Sequence, residues 1–297
     1  MSAFPSELTK RLRACYGDAL AGEIEAGCAA RRPVTLRVNR LRSGMEEVQA
    51  ALEAAGLVFS PVPWYADALV LPDAEEAAVE ALPVYTEGKI YLQSLSAMVP
   101  PLLMELEANF SVLDMAAAPG GKTTQMASLS GDSVFLTACE RDAARAERLR
   151  FNLKRQGVRH CQVLTQDARR LDDAFRFDSV LLDAPCTGSG TILLTEPPRR
   201  MESAWVRKIT QTQAALMKKA LTVTRRGGRL VYATCSILPE ENDAIVQTAV
   251  SLGARVEPVP AALAEQLPSL PVSVPGTLCI RPTALYEGFF VACLRKP

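Results

Sequence analysis

The sequence predicts an α/β protein, an open and mostly parallel doubly wound sheet preceded by a small α+β domain. Three observations predict it. From residue 90 onward, short apolar runs alternate with amphipathic helical stretches. Those runs are continuously apolar, as in strands covered on both faces of a parallel sheet. Residues 31–89 instead read strand, helix, strand, strand at short spacings. Composition permits this: 297 residues, 48% hydrophobic and 22% charged, can bury a full core.

Residues 6–27 carry Leu8, Leu12, Leu20 and Ile24 at helical spacing, and Pro33 breaks the pattern. Residues 1–30 therefore form an N-terminal helical segment. Val34–Val38 is a short strand set among Arg31, Arg32, Arg37, Arg40 and Arg42. Ser43, followed by Glu46 and Glu47, opens a helix that runs to Gly56: a serine cap with acids at the positive end of the dipole. Strands follow at 57–59 and 68–71, and 72–88 reads as a loop-rich connector. In the larger domain, residues 90–297, strands fit 111–114, 133–138, 161–164, 179–182 and 229–233. Helices fit 122–129, 142–156, 203–223 and 240–252. Gly227-Gly228 reads as a helix stop and tight turn. Residues 288–294 read as a last strand, suited to an antiparallel setting.

Charge and cysteine usage exclude several classes. Lys+Arg and Asp+Glu are 33 each, so any polyanion site must come from local clustering. The eight cysteines include no C-x-x-C pair, and His160 is the single histidine, so no metal site is expected. No basic-then-apolar leader opens the chain and no apolar run reaches membrane-spanning length. The expectation is a cytoplasmic monomer with reduced thiols and no membrane partner.

The strand at 111–114 runs into Ala116-Ala-Ala-Pro-Gly-Gly-Lys-Thr123, a glycine turn leading to a helix. Glycines let the backbone approach a ligand, and the helix start offers free N–H groups. Glu140, twenty residues past Gly120 and just after the next strand, suits the ribose hydroxyls of an adenosine. Asp167 follows the third strand and can meet the adenine edge. A P-loop NTPase competes, since Gly121-Lys122-Thr123 matches the end of its signature. Its first glycine would fall at Ala116, however, and Glu140 would have no role.

Free cysteine is usually a small buried hydrophobe. Cys186, in Asp183-Ala-Pro-Cys186, and Cys235, in Thr234-Cys-Ser236, differ by position. Each follows an apolar strand, and ligands bind at the carboxyl ends of such strands. Both thiols are therefore expected to open onto one crevice. Lys122 and the helix start can favour a thiolate there. His160 precedes the third strand, at the far end of the sheet, which argues against a Cys–His pair.

With Pro239-Glu-Glu-Asn242 added, and Arg37-Val-Asn39 and Gly288-Phe-Phe-Val-Ala292 as weaker matches, the chain resembles the RNA (cytosine-5)-methyltransferases of the RsmB/NOP2/Sun family. The resemblance covers roughly Pro33 to the C-terminus. It implies a Rossmann-like sheet binding S-adenosylmethionine (SAM), with Ala116, Ala117, Ala118, Pro119, Gly120, Gly121, Lys122, Glu140, Arg145, Asp167 and Asp183 lining the cofactor site. It implies Cys235 as the nucleophile toward cytosine C6 and Cys186 as the residue that helps break down the covalent adduct. Asp183 would hold the N3/N4 edge of the base, and Lys122 would reach the base or cofactor. The product would be 5-methylcytosine in ribosomal RNA, or in transfer RNA. Family members often carry an Arg-rich stretch after Gly190, where this chain has the uncharged residues 192–195.

Two basic groups are candidate phosphate contacts: the five arginines of residues 31–42, and Arg199, Arg200, Arg207 and Lys208. Arg148, Arg150, Lys154 and Arg155 read as the solvent face of the helix after Glu140. Two other functions fit parts of the pattern. A DNA cytosine-C5 methyltransferase would use the Pro-Cys thiol alone. A SAM-fold RNA-binding scaffold would need neither thiol.

Overall fold

The computed structural model describes residues 4–192 and 201–297. Residues 193–195, Arg199 and Arg200, singled out above, lie outside the described residues.

Helix α1 (Ser6–Ala29) bends at Gly17, whose φ is +76°. Leu8, Leu12, Ala21, Ile24 and Cys28 are buried among Leu216, Ile237, Val246 and Phe290, so α1 packs on the core of the large sheet. The small sheet has strand order β2-β3-β1-β4. It comprises β1 (Val34–Val38), α2 (Met45–Ala54), β2 (Ser60–Val62), β3 (Tyr65–Leu71), α3 (Glu76–Glu80), α4 (Pro83–Thr86) and β4 (Ile90–Leu92). Three local expectations change here. Residues 57–59 are not a strand, because the chain turns from α2 and pairs only from Ser60. The connector 72–88 holds two short helices, α3 and α4. Gly44, not Ser43, occupies the cap of α2, and the Ser43 hydroxyl bonds Glu47 instead, at 2.7 Å. Ile90–Leu92, read from sequence as the start of the larger domain, pairs antiparallel with β1.

The large sheet follows α5 (Leu95–Leu102). Its parallel part alternates β5 (Ser111–Asp114), α6 (Gly121–Leu129), β6 (Phe135–Cys139), α7 (Ala143–Gln156), β7 (Cys161–Leu164), β8 (Phe177–Asp183), α8 (Ser203–Val223) and β9 (Thr224–Thr234). Then come α9 (Asp243–Ser251), β10 (Arg255–Glu257), α10 (Ala261–Ala264), β11 (Ser269–Leu270), β12 (Leu278–Ile280) and β13 (Phe289–Arg295). The order is β11-β12-β13-β9-β8-β5-β6-β7, with β10 also on β13. Strands β5 to β9 are parallel, and β13 runs antiparallel to β9. After β7 the chain crosses back to place β8 on the other side of β5. Such a reversal opens a crevice at the carboxyl ends of the central strands.

Asp142 caps α7 by accepting the Arg145 N–H at 2.9 Å, and Gly157 ends it in the left-handed conformation. Gly227 and Gly228 do not stop a helix. α8 already ends at Val223, and the glycines sit in an irregularity of β9, where a Cβ on Gly228 would come 2.9 Å from the Asp178 carbonyl oxygen.

Candidate active site

A cleft of 590 Å³ lies along the carboxyl ends of β5 to β9. Of the residues expected to act, Ala116, Ala118, Lys122, Glu140, Arg145, Asp167, Asp183, Cys186 and Cys235 line it. Ala117 is buried against Leu149 and shapes the loop from behind. Gly120 has φ +109°, and a Cβ there would meet Leu149 at 2.9 Å. Pro119 and Gly121 face an adjoining cavity of 220 Å³ that shares Ala97, Ala116, Ala118, Lys122 and Asp183 with the cleft.

At the glycine-loop end, Asp114 is buried and accepts the Thr123 hydroxyl at 2.7 Å. Burial raises its pKa to about 6, against the pull of Thr123. Glu140 is buried after β6 and accepts the Asp142 N–H at 2.9 Å. Arg145 lies 3.4 Å from Glu140 and donates to the Ala118 carbonyl at 2.8 Å, tying α7 to the loop. Asp167 accepts the Arg169 side chain, which holds its pKa below the ordinary aspartate value.

At the other end, Lys122 Nζ stands 2.6 Å from Asp183 Oδ2 and 5.2 Å from the centre of the Phe289 ring. Burial disfavours the ammonium, but Asp183 outweighs it and raises the Lys122 pKa. The Sγ atoms of Cys186 and Cys235 are 3.1 Å apart. The hydrogen bond with Cys186 lowers the Cys235 pKa; burial and Asp183 oppose this, and Lys122 assists. The same bond, then burial and the Cys235 charge, hold the Cys186 proton well above the ordinary thiol value. The two sulfurs are thus inequivalent, and Cys235 is the more acidic of the pair.

A residue outside the expected set joins the two cysteine loops. Glu241, fully buried, accepts the Thr187 N–H at 2.9 Å, the Thr187 hydroxyl at 2.5 Å, the Ser236 hydroxyl at 2.7 Å and the Gln213 amide at 3.0 Å. Thr187 follows Cys186 and Ser236 follows Cys235, so one carboxyl group sets both thiols. Ser189 and Ser236 add a bond at 2.8 Å, and Gly190 N–H donates to the Cys235 carbonyl at 3.0 Å. The motif around Pro239 carried the only sequence signal for this clamp.

Of the five arginines of residues 31–42, Arg37 is not a surface phosphate contact, while Arg31, Arg40 and Arg42 remain exposed. Arg37 has no exposed surface; it donates to Gln93 Oε1 at 3.0 Å, the Gly121 carbonyl at 2.9 Å and Thr124 Oγ1 at 2.6 Å. It bolts the small sheet to the start of α6. Arg40 pairs with Asp67, Arg31 with Glu75, and Arg32 donates to the Gly27 and Tyr286 carbonyls. His160 donates Nδ1–H to the Asp132 carbonyl at 2.7 Å, far from the cleft in the fold. Trp205, Arg207 and Lys208 lie on α8, with Lys208 5.9 Å from the Trp205 ring centre.

A parallel sheet with a glycine turn after one strand and an acidic side chain after the next is the Rossmann-like methyltransferase fold; the paired thiols narrow it further. Sequence profiles agree with that narrowing. Residues 101–295 match the 16S rRNA methyltransferase RsmB/F family, and residues 4–78 match the RsmF/B-like ferredoxin-like domain. The chain belongs to the RsmB/F family. It is 36% identical over 230 residues to ribosomal RNA small subunit methyltransferase F of Shewanella oneidensis, covering 76% of this chain and 48% of the relative. It is 36% identical over 288 residues to the protein of that name from Vibrio parahaemolyticus, covering 90% and 58%. The chain thus spans about half the length of these relatives. A methyltransferase homolog from Pyrococcus horikoshii superposes with TM-score 0.81 at 31% identity, over 99% of this chain and 100% of that one. NSun6 from the same organism, solved with SFG, superposes with TM-score 0.89 at 24% identity over 99% of each chain, a likeness of fold.

Proposed function

We propose that this chain is a SAM-dependent RNA methyltransferase that forms 5-methylcytosine through a covalent Cys235–C6 adduct, acting in the cytoplasm as a monomer on ribosomal RNA, with transfer RNA as the second candidate. The observation that carries the reading is the 3.1 Å contact between Cys186 and Cys235 beside the 2.6 Å Lys122–Asp183 pair. A DNA-type mechanism uses one thiol, and a scaffold uses none.

The cleft fits the cofactor. Small side chains at Ala116 and Ala118 leave room, and Glu140 offers a carboxylate for ribose hydroxyls. Asp167 and Arg145 complete the wall. When bound, SAM supplies an electrophilic sulfonium methyl group. The chain's own residues do the rest. The target cytosine leaves its stack to reach the crevice, so single-stranded or loop RNA is the natural substrate. Asp183 accepts the exocyclic N4–H of the base and fixes its edge. Cys235, held as thiolate by the Cys186 S–H, adds to C6, and the C5–C6 electron pair moves onto C5. Bond formation consumes the Cys235 charge. The bond to Cys235 and the Cys235 charge no longer hold the Cys186 proton, so only burial and Glu241 oppose its release to solvent. The Cys186 thiolate removes the C5 proton once C5 carries the methyl group. The C–H electrons re-form C5–C6, and Cys235 leaves as thiolate.

Isothermal calorimetry with SAM and bisulfite sequencing of 16S rRNA methylated in vitro test this reading. The expected results are SAM binding that Glu140→Ala weakens strongly, and cytosine-specific protection that depends on the protein. Binding of ATP with magnesium and none of SAM would overturn it.

A further inference from the structure

Helix α7 carries five basic residues and one acidic residue, Glu147, which pairs with Arg150 at 2.6 Å. Arg148, Phe151 and Arg155 fall at i, i+3 and i+7, on one stripe. Phe151 is 63% exposed, and Arg148 makes no hydrogen bond or ion pair among the described residues. The Arg155 guanidinium lies 4.4 Å from the Tyr85 ring centre and 5.7 Å from that of Phe151. The stack Tyr85–Arg155–Phe151 therefore runs from the small domain onto α7 and leaves Phe151 open to solvent.

This stripe lines a groove of 1080 Å³ between the two domains. The groove meets the catalytic cleft at Glu287, and it meets the 220 Å³ cavity at Gln93 and Pro119. That cavity ends on Lys122 and Asp183. From Arg145, in the catalytic cleft, to Arg155 the helix rises about 15 Å. A merely solvated helix face gains nothing from an exposed phenyl ring between arginines. Arg155 also donates to Asn152 Oδ1 at 3.3 Å, so Arg148 is the unpaired guanidinium of the stripe. An exposed ring beside an unpaired guanidinium is the chemistry that holds single-stranded nucleic acid: aromatic faces take bases and cations take phosphates.

We propose that the stripe Arg148–Phe151–Arg155 is the binding track for the single-stranded RNA flanking the target cytosine, with a neighbouring base stacked on Phe151 and a phosphate on Arg148. The inference rests on the RNA methyltransferase reading above and names where the strand lies. Glu76 and Glu80 stand on the opposite wall, and Glu80 is held by the Tyr85 hydroxyl at 2.9 Å, so the strand is expected on the α7 side.

The test uses the full chain and a short single-stranded oligoribonucleotide with 2-aminopurine next to its cytosine. Phe151→Ala should weaken binding about tenfold and abolish the quenching of 2-aminopurine, with the salt slope unchanged. Phe151→Leu should behave like Phe151→Ala, and Phe151→Trp should restore binding, because stacking rather than apolar area is at stake. Arg148→Gln should lower the salt slope by about one. In methyl transfer to 16S rRNA, Phe151→Ala should raise KM and leave kcat intact. An active wild type with Phe151→Ala or Phe151→Leu binding equally well would overturn this inference alone. A wild type without RNA affinity would overturn both it and the proposed function.

Discussion

Cys186 Sγ and Cys235 Sγ lie 3.1 Å apart although 49 residues separate them in sequence. Two parallel neighbours, β8 and β9, end side by side and deliver one thiol each. The contact makes the sulfurs inequivalent, because the shared hydrogen bond raises the Cys186 pKa and lowers that of Cys235. Cys235 is held below the ordinary thiol value of 9.0 and Cys186 well above it. Alkylation by iodoacetamide, read by peptide mass spectrometry across pH, should modify Cys235 with a midpoint below 9.0 and spare Cys186. Cys186→Ala should move the Cys235 midpoint upward, since its donor is lost. Cys235→Ala should move the Cys186 midpoint downward, since the bond and the charge that raise it are gone. Two thiols titrating together near 9.0 would contradict this inequivalence.

The Glu241 clamp predicts a joint effect on stability and activity. Glu241→Ala strands buried donors on Thr187, Ser236 and Gln213, each costing about 1–3 kcal/mol. Urea unfolding should show a loss of about 4 kcal/mol, and methyl transfer should collapse although neither thiol has changed. Glu241→Gln should recover part of both, because one amide oxygen still accepts.

Arg37 and Arg40 separate two explanations of the same basic segment. Arg37→Ala should destabilise the fold by about 3 kcal/mol, since three acceptors lose a fully buried donor. Arg37→Lys should not rescue it, because an ammonium cannot span those three acceptors. Arg40→Ala should cost within about 1 kcal/mol, as its pair with Asp67 is partly exposed. Thermal unfolding distinguishes them. Equal, small effects with weakened RNA binding would return Arg37 to the surface role its sequence context suggests.

The reason Arg37 misleads is the reason much else was legible. Periodicity and turn residues report a residue's own neighbourhood, so β5 at 111–114, β7 at 161–164 and the two thiols at strand ends could be read directly. The glycine loop announced itself through backbone chemistry. Arg37, by contrast, is decided by Gly121 and Thr124, more than eighty residues away, and Glu241 by Thr187. No local pattern encodes such partners. Ile90–Leu92 is too short to show a period, and its place beside β1 depends on long-range pairing. The stripe on α7 was visible as charge, but its meaning depends on Tyr85, which reaches it from another domain.

The most direct test of the central claim is trapping of protein–RNA adducts by Cys186→Ala and Cys235→Ala on denaturing gels, with SAM and 16S rRNA present. Cys186→Ala should accumulate an RNA-linked species that survives denaturation, because attack by Cys235, slowed by the loss of Cys186 but still assisted by Lys122, proceeds while release is impaired. Cys235→Ala should form no adduct and transfer no methyl group. The reverse pattern, an adduct with Cys235→Ala and none with Cys186→Ala, would contradict the account by assigning the attack to the Pro-Cys loop.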